Sequence, residues 1–391
     1  MSDPIRQAAQ ALAAETTATR RDFHRHPELA FEEVRTAGII AERLEALGLP
    51  VRRGVGKTGV VSVLDSGRPG KTVLLRADID ALPIDEENAA EYRSSARGKM
   101  HACGHDGHAA VLLSAAKILT AHRGDLAGKL VFVFQPAEEV VGGAHAMLED
   151  GALEGLEPDH SLGLHLSSTH PVGTVALRDG PSMAASDAFH LLVRGKGGHA
   201  AMPQLVTDPI LIAAQLISAA QGLVAREVDP VDQAVISFTS VHGGSAYNII
   251  PEAVELKGTL RTFSASTRDH LKARLEQLAG AVTQALRGEM TLESLHGSPA
   301  VVNDPAMSER MRAVAREVLG EQRVRQAPPI MGGDDMALWL EAAPGSYFFL
   351  GTGNPEKGTD FPHHHPRFDL DEDALPVATE LLVKGALEFL R

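Results

Sequence analysis

Residues 129–139 read KLVFVFQPAEE. After Lys129 the chain runs through five apolar residues, β-branched and aromatic. A strand covered on both faces reads this way, because neither face can carry polar groups. Gln135 and Pro136 end the run, and two adjacent acids follow Ala137. The stretch predicts a buried parallel strand whose carboxyl end delivers Glu138 and Glu139. In open α/β sheets, binding and catalytic groups gather beyond that end.

Neighbouring stretches extend the pattern. Residues 60–64 and 72–77 read as strands, the second running into Asp78 and Asp80. Residues 105–120, HDGHAAVLLSAAKILT, have the apolar spacing of a helix. Residues 142–149 read as a helix and 161–166 as a strand. The first 48 residues read as two helices, one opening at Asp3-Pro4 and one over 32–47. The alternation predicts an α/β fold, a mostly parallel sheet flanked by helices. Near Pro181 the order changes to strand 186–194, helix 208–226, strand 234–241, strand 253–262, helix 267–286, strand 290–295. That is βαββαβ, the ferredoxin-like order, predicting an inserted domain over 182–297. Helices 305–319 and 334–340, strand 346–350 and helix 371–390 then resume the first pattern. Residues 1–181 and 298–391 are therefore expected to form one discontinuous domain.

Composition narrows the function. The 391 residues include 51 acidic and 37 basic side chains, for a formal charge of -14 and a pI near 5.7. Nucleic acids and anionic membranes need a basic face, so neither is an expected partner. One cysteine cannot make an internal disulfide. No apolar run approaches the ~20 residues of a membrane span, and the first residues do not resemble a signal peptide. The expected location is the cytoplasm. The stretch GVGKTG at 54–59 looks like a nucleotide-binding loop, but a strand-like VVSVLDS follows it and Val51 stands where a phosphate loop needs glycine. It is read as an ordinary turn.

Metal-competent residues stand at the ends of the predicted strands. They are Asp78 and Asp80; the run HACGHDGH over 101–108; Glu138 and Glu139; His165; and HHHP over 363–366. Thiolate, imidazole and carboxylate suit zinc, and to varying degrees manganese, cobalt or nickel. The candidates are too many for one tetrahedral ion. Two ions about 3.5–4 Å apart, clamping a bridging water, use them better. Glu138-Glu139 then suggests a division of labour, one acid on metal and one free to take a proton. Taken singly, each segment has a plainer reading: a solvated helix start, a buried thiol, a surface histidine loop.

HACGHDGH and QPAEE, together with RRDFHRHPELAFEE, LRADIDALPI, GKGGHAAMP, GGDDM and HHHPRFDLDE, carry a resemblance to the aminoacylase/carboxypeptidase-type dinuclear metallopeptidase family. The amidohydrolase branch, with its hippurate hydrolases and indole-acetyl-amino-acid hydrolases, is the nearest match. The resemblance covers about residues 21–373 and implies a zinc-exopeptidase-like catalytic domain. It implies two divalent ions per subunit, zinc, manganese, cobalt or nickel, with Cys103 as the bridging ligand. His105, Glu139, His165 and His364 are the other implied ligands, with His363 and His365 flanking the last. Glu138 resembles the general base and Asp80 the aspartate that orients a ligand or the metal-bound water. His199, in the insert, resembles the histidine that steadies the oxyanion in a partner subunit's site. Asn248 and Arg261 resemble substrate-contacting positions. The implied substrate is a small N-acyl amino acid and the implied assembly a homodimer or homotetramer, with the insert as lid and dimer interface. Competing expectations are a dipeptidase or carboxypeptidase of the same family, and a non-catalytic metal-binding scaffold.

Overall fold

The strand Lys129–Gln135 sits inside an eight-stranded sheet in the computed structural model, which describes residues 3–294 and 297–391. Val131 to Phe134 are fully buried, as an apolar run covered on both faces requires. In spatial order the strands are Val51–Val55, Gly59–Asp65, Lys129–Gln135, Thr72–Asp78, His160–Pro171, Gly345–Gly353, Val175–Leu177 and Val324–Gln326. The four from Lys129–Gln135 to Gly345–Gly353 run parallel to one another. Antiparallel pairing is confined to the flanks, at Val51–Val55 on Gly59–Asp65, Gly59–Asp65 on Lys129–Gln135, and Gly345–Gly353 on Val175–Leu177.

The GVGKTG stretch is the turn of the hairpin between Val51–Val55 and Gly59–Asp65. Gly56 there has φ +62°, and a Cβ on it would lie 2.6 Å from the Met147 nitrogen. The amino-terminal segment holds three helices rather than the expected two: Pro4–Ala11, Ala13–Arg25 and Val34–Ala46. Asp3 caps the first, its side chain accepting from the Ile5 and Arg6 amides. The helix His105–Ala121 is apolar nearly all round. Only Lys117 and its last turn reach solvent, since strand Thr72–Asp78 and helices Ala13–Arg25, Val34–Ala46 and Leu375–Phe389 all pack on it. Helix 334–340 is displaced to Met336–Ala342, and helix 371–390 begins at Leu375 after a short turn of 3-10 helix.

The chain forms two compact units. The first comprises residues 1–182, 301–329 and 335–391; the second comprises 183–300 and 330–334. Residues 298–300 and 330–334 thus fall with the second unit, not with the flanking chain as the sequence reading had them.

The second unit is a four-stranded antiparallel sheet in the order Ala234–His242, Ala253–Thr262, Ala185–Arg194, Glu289–Ser294. With helices Pro209–Glu227 and Ala265–Ala285 this is the ferredoxin-like arrangement. The last strand was expected to reach Leu295, which lies outside the described residues. By length and composition Pro209–Glu227 is apolar enough to cross a membrane, contrary to the expectation that no segment is. Its Ile212, Leu216, Ala220 and Leu223 are buried in the core of this unit, opposite Leu271, Leu275 and Ala279.

Candidate metal centre

The carboxyl ends of three adjacent parallel strands supply the site. Thr72–Asp78 runs out into Asp80, Lys129–Gln135 into Glu138 and Glu139, and His160–Pro171 carries His165. The loop into helix His105–Ala121 brings Cys103 and His105. Gly104 makes that entry possible with φ +92°, a conformation side chains with a Cβ disfavour. The loop after Gly345–Gly353 brings His364. Two residues here are left-handed without being glycine: Ala137 (φ +52°), just before Glu138, and His364 itself (φ +64°). Such conformations persist only where the surroundings hold them, and they gather at functional sites.

Cys103 is the common vertex of two donor sets. Its Sγ lies with nitrogens of His105 and His165 in one group and with donor atoms of Glu139 and His364 in another. Within each group all donor atoms lie within 4.8 Å of one another. Cys103 Sγ is 3.6 Å from His165 Nε2, and His364 Nε2 is 3.3 Å from Glu139 Oε2. His105, Glu138 and Glu139 form a further group.

Hydrogen bonds fix which nitrogen each histidine presents. His105 Nδ1 points at Asp80, 3.1 Å from Oδ1 and 3.0 Å from the backbone oxygen, so Nδ1 carries the proton and Nε2 faces the cluster. Asp80 Oδ2 also accepts from the Glu139 amide at 3.1 Å. His165 Nδ1 donates to Leu166 O at 2.8 Å, leaving Nε2 toward Cys103. This is the pattern of metal-ligating histidines, one nitrogen tied to a carboxylate or carbonyl and the other bare. His363 instead directs Nε2 to Leu166 O, and His365 Nδ1 accepts from the Arg367 amide. Of the three consecutive histidines, His364 is the one placed in the cluster.

The sequence reading did not assign His108, three residues from His105. It forms a candidate group with Asp78 and His105, yet both its nitrogens are spent. Nδ1 lies 2.5 Å from Asp78 Oδ1, and Nε2 accepts from the Leu166 amide. Asp78 is likewise taken, by His108 and by Arg76 at 2.7 Å. Arg76 reaches Asp335 as well, at 2.8 Å, and Asp335 accepts from the Gln135 side chain and the Ala144 amide. Behind the cluster, buried Arg20 contacts Asp106 and Asp369, and His24 Nδ1 lies 2.8 Å from Asp106. The i, i+3 spacing of His105 and His108 was a legible signal for His108. Arg20 and Asp106 had none, their partners being far apart in the chain.

The protonation states follow from burial and neighbours. Burial pushes the Cys103 thiol well up, and the Glu139 charge adds to that. Burial and His108 keep His165 well below the ordinary histidine range. Burial opposes a charged His105, but Asp78 and Cys103 outweigh it and raise its pKa. For Asp78, burial is overcome by His105, Arg76 and His108, which hold it well below the usual carboxylate range. A bound divalent cation inverts this logic, since it deprotonates a coordinating thiol outright.

The residues fit a metal centre. His105 Nε2 and Glu139 Oε1 are buried with no hydrogen-bond partner, which is costly unless something binds there. One thiol, three imidazoles and a carboxylate converge on that space, the donor chemistry of a divalent transition metal.

The remaining candidates lie in the second unit. His199 is exposed; its Nδ1 accepts from the Ala201 amide at 3.1 Å, which leaves Nε2 as the nitrogen that bears hydrogen. Asn248 is its neighbour, its carbonyl accepting from the Ala200 amide. Arg261 is half-buried and spends Nη1 on the carbonyls of Leu260 and Asp187.

Parallel strands with metal-competent side chains at their carboxyl ends define the class: an α/β protein with a site built for two metal ions. Residues 74–388 match peptidase family M20/M25/M40, and the chain belongs to that family. It is 39% identical over 360 residues to thermostable carboxypeptidase 1 of Saccharolobus solfataricus, covering 91% of this chain and 90% of the relative. It is 40% identical over 371 residues to the N-acetyl-L-cysteine deacetylase of Bacillus subtilis, covering 95% and 87%. Among solved structures it resembles the Bacillus subtilis YXEP protein, a dinuclear metal-binding peptidase of the M20 family. There the TM-score is 0.82 and the identity 35%, over 97% of this chain and 99% of that one.

Proposed function

We propose that this chain is a metal-dependent amidohydrolase that cleaves the amide bond of small N-acyl amino acids. The observation that carries the reading is Cys103, one thiol shared by two donor sets beside a pair of glutamates. Cys103, His105 and His165 would hold one ion; Cys103, Glu139 and His364 would hold the other. When bound, the ions supply Lewis acidity to the scissile carbonyl and lower the pKa of a water.

Glu138 takes the proton of the attacking water as its oxygen bonds to the amide carbon. It then returns that proton to the nitrogen as the carbon–nitrogen bond breaks, giving a carboxylic acid and an amine, which leave as carboxylate and ammonium once the acid's proton has passed to the amine. Asp80 holds His105 through Nδ1 and so keeps Nε2 aimed. His199, with its Nε2–H, is assigned to the developing oxyanion in a partner subunit of a homodimer. Asn248 and Arg261 are assigned to the substrate's polar end, where a guanidinium fork suits a carboxylate. The insert serves as lid and dimer interface, and the enzyme works in the cytoplasm.

A second reading, carboxypeptidase, is favoured by the likeness to thermostable carboxypeptidase 1. One panel separates them: N-acetyl, N-benzoyl and indole-acetyl amino acids beside dipeptides and longer peptides, each with zinc, manganese or cobalt. N-acyl amino acids should be hydrolysed fastest. Preference for peptides would establish the second reading, and no hydrolysis in any metal form would defeat both. Glu138→Gln should lower kcat by about 10²–10⁴-fold, the usual share of a positioned acid–base group.

A further inference from the structure

We propose that Glu33 is a positioning residue for Glu138: its buried carboxylate holds Ala137 left-handed and thereby aims the glutamate that follows. The inference rests on Glu138 being the proton carrier.

Glu33 lies just before helix Val34–Ala46, where an acid is ordinarily a cap or a partner of the helix dipole. Its side chain makes no capping bond to that helix. The carboxylate is fully buried and turned to other segments. Oε1 accepts from the Ala137 amide at 2.9 Å and from the Phe31 amide at 2.9 Å. Oε2 accepts from Thr58 Oγ1 at 2.5 Å, a residue of the GVGKTG turn. Both amides belong to left-handed, non-glycine residues, Phe31 at φ +63° and Ala137 at φ +52°. One carboxylate thus anchors two backbone conformations that a Cβ disfavours.

The segment after Ala137 turns back tightly on itself. Gly143 donates to Ala137 O at 3.1 Å, and Val141 donates to Glu138 O at 2.7 Å. A Cβ on Gly143 would lie 1.5 Å from Pro136 O. Asp335 holds the far end of the turn through the Ala144 amide at 3.0 Å. At the near end, where Glu138 leaves the strand, Glu33 holds the Ala137 amide just before it and Asp80 holds the Glu139 amide just after it. Burial pushes the pKa of Glu33 up, and a buried acid is retained at a cost that an apolar residue would avoid. Its three bonds to the Glu138 loop, the Phe31 turn and the Thr58 turn account for that retention.

The test compares Glu33→Gln, Glu33→Asp and Glu33→Ala with Glu138→Gln. Metal content, kcat, KM and amide hydrogen exchange of the segment containing Ala137 are measured on the full chain. A glutamine can reproduce all three bonds, its oxygen accepting both amides and its amide donating to Thr58 Oγ1. Glu33→Gln should keep kcat within about threefold of the parent. Glu33→Ala should lose roughly 10–100-fold in kcat with KM and metal content little changed, as expected for a misplaced catalytic group. Its Ala137 segment should exchange about tenfold faster or more. Glu33→Asp draws the acceptor back by one methylene, and should lower kcat by about tenfold even if Glu33→Ala does not fold.

An unchanged kcat in Glu33→Asp or Glu33→Ala, with Glu138→Gln inactive, overturns the inference alone. Loss in Glu33→Gln equal to that in Glu33→Ala, with exchange unchanged, also overturns it, because the carboxylate would then act chemically. Full activity in Glu138→Gln would defeat the reading of Glu138, while the exchange measurement would still judge Glu33's hold on Ala137.

Discussion

The two units bury very different material. In the first, Arg20, His24, Arg76, Asp78, Asp80, His105, Asp106 and His108 are all almost wholly inside. In the second, the core is Phe189, Leu191, Val193, Ile212, Leu216, Leu256, Leu271 and similar residues. Among its described residues the buried acids are Asp187, paired with Arg268 at 2.7 Å, and Asp334. Burying charge is expensive and often yields no more stability than apolar packing. A region that carries so much of it is organised around chemistry, whereas the second unit is organised around packing. Substitutions of buried residues should therefore divide, those in the charged cluster of the first unit disturbing the site as well as stability and those in the apolar core of the second changing stability alone.

The largest effect should come from Arg20→Met. It leaves fully buried Asp106 with His24 as its remaining partner and removes a partner of Asp369 and of Glu372. Breaking a buried pair from one side costs about 3–5 kcal/mol, which urea unfolding would read as a lower midpoint. Loss below about 1 kcal/mol would mean that the charge cluster is better solvated than its burial implies. Leu216→Ala is the matching change in the second unit. It should cost roughly 2–5 kcal/mol by leaving a cavity, with metal content and kcat preserved. Loss of metal in that variant would break the comparison. Asp80→Ala should be the mildest for the fold. It takes the carboxylate from His105 Nδ1, leaving only the backbone oxygen of residue 80, and should weaken metal affinity about 10–100-fold, a change that titration with a metal-competing dye would quantify.

Much of this was legible in the sequence because it repeats or clusters. The run at 129–134 announced a buried strand, and alternating patterns over 182–297 announced a second sheet with two helices. HACGHDGH beside QPAEE announced the cluster. What escaped had no local signature. Val51–Val55 is an exposed edge strand of Val-Arg-Arg-Gly-Val, without apolar alternation to mark it. Val175–Leu177 and Val324–Gln326 are three residues each, too short to show a period. Glu33 meets Ala137 across 104 residues, and Arg20 meets Asp369 across 349. A single acid or arginine carries no periodicity, so only the folded chain reveals its partner. The histidine triplet shows the same limit. Spacing alone offered three histidines and only the resemblance pointed to His364; in the fold it is His364 whose Nε2 stands 3.3 Å from Glu139 Oε2.

The central claim is that one thiol serves two metal ions. Metal-to-protein ratios in the parent and in Cys103→Ala, both folded and loaded under the same conditions, test it most directly. The parent should hold two ions per chain and the variant at most one. Two ions retained in Cys103→Ala would contradict it.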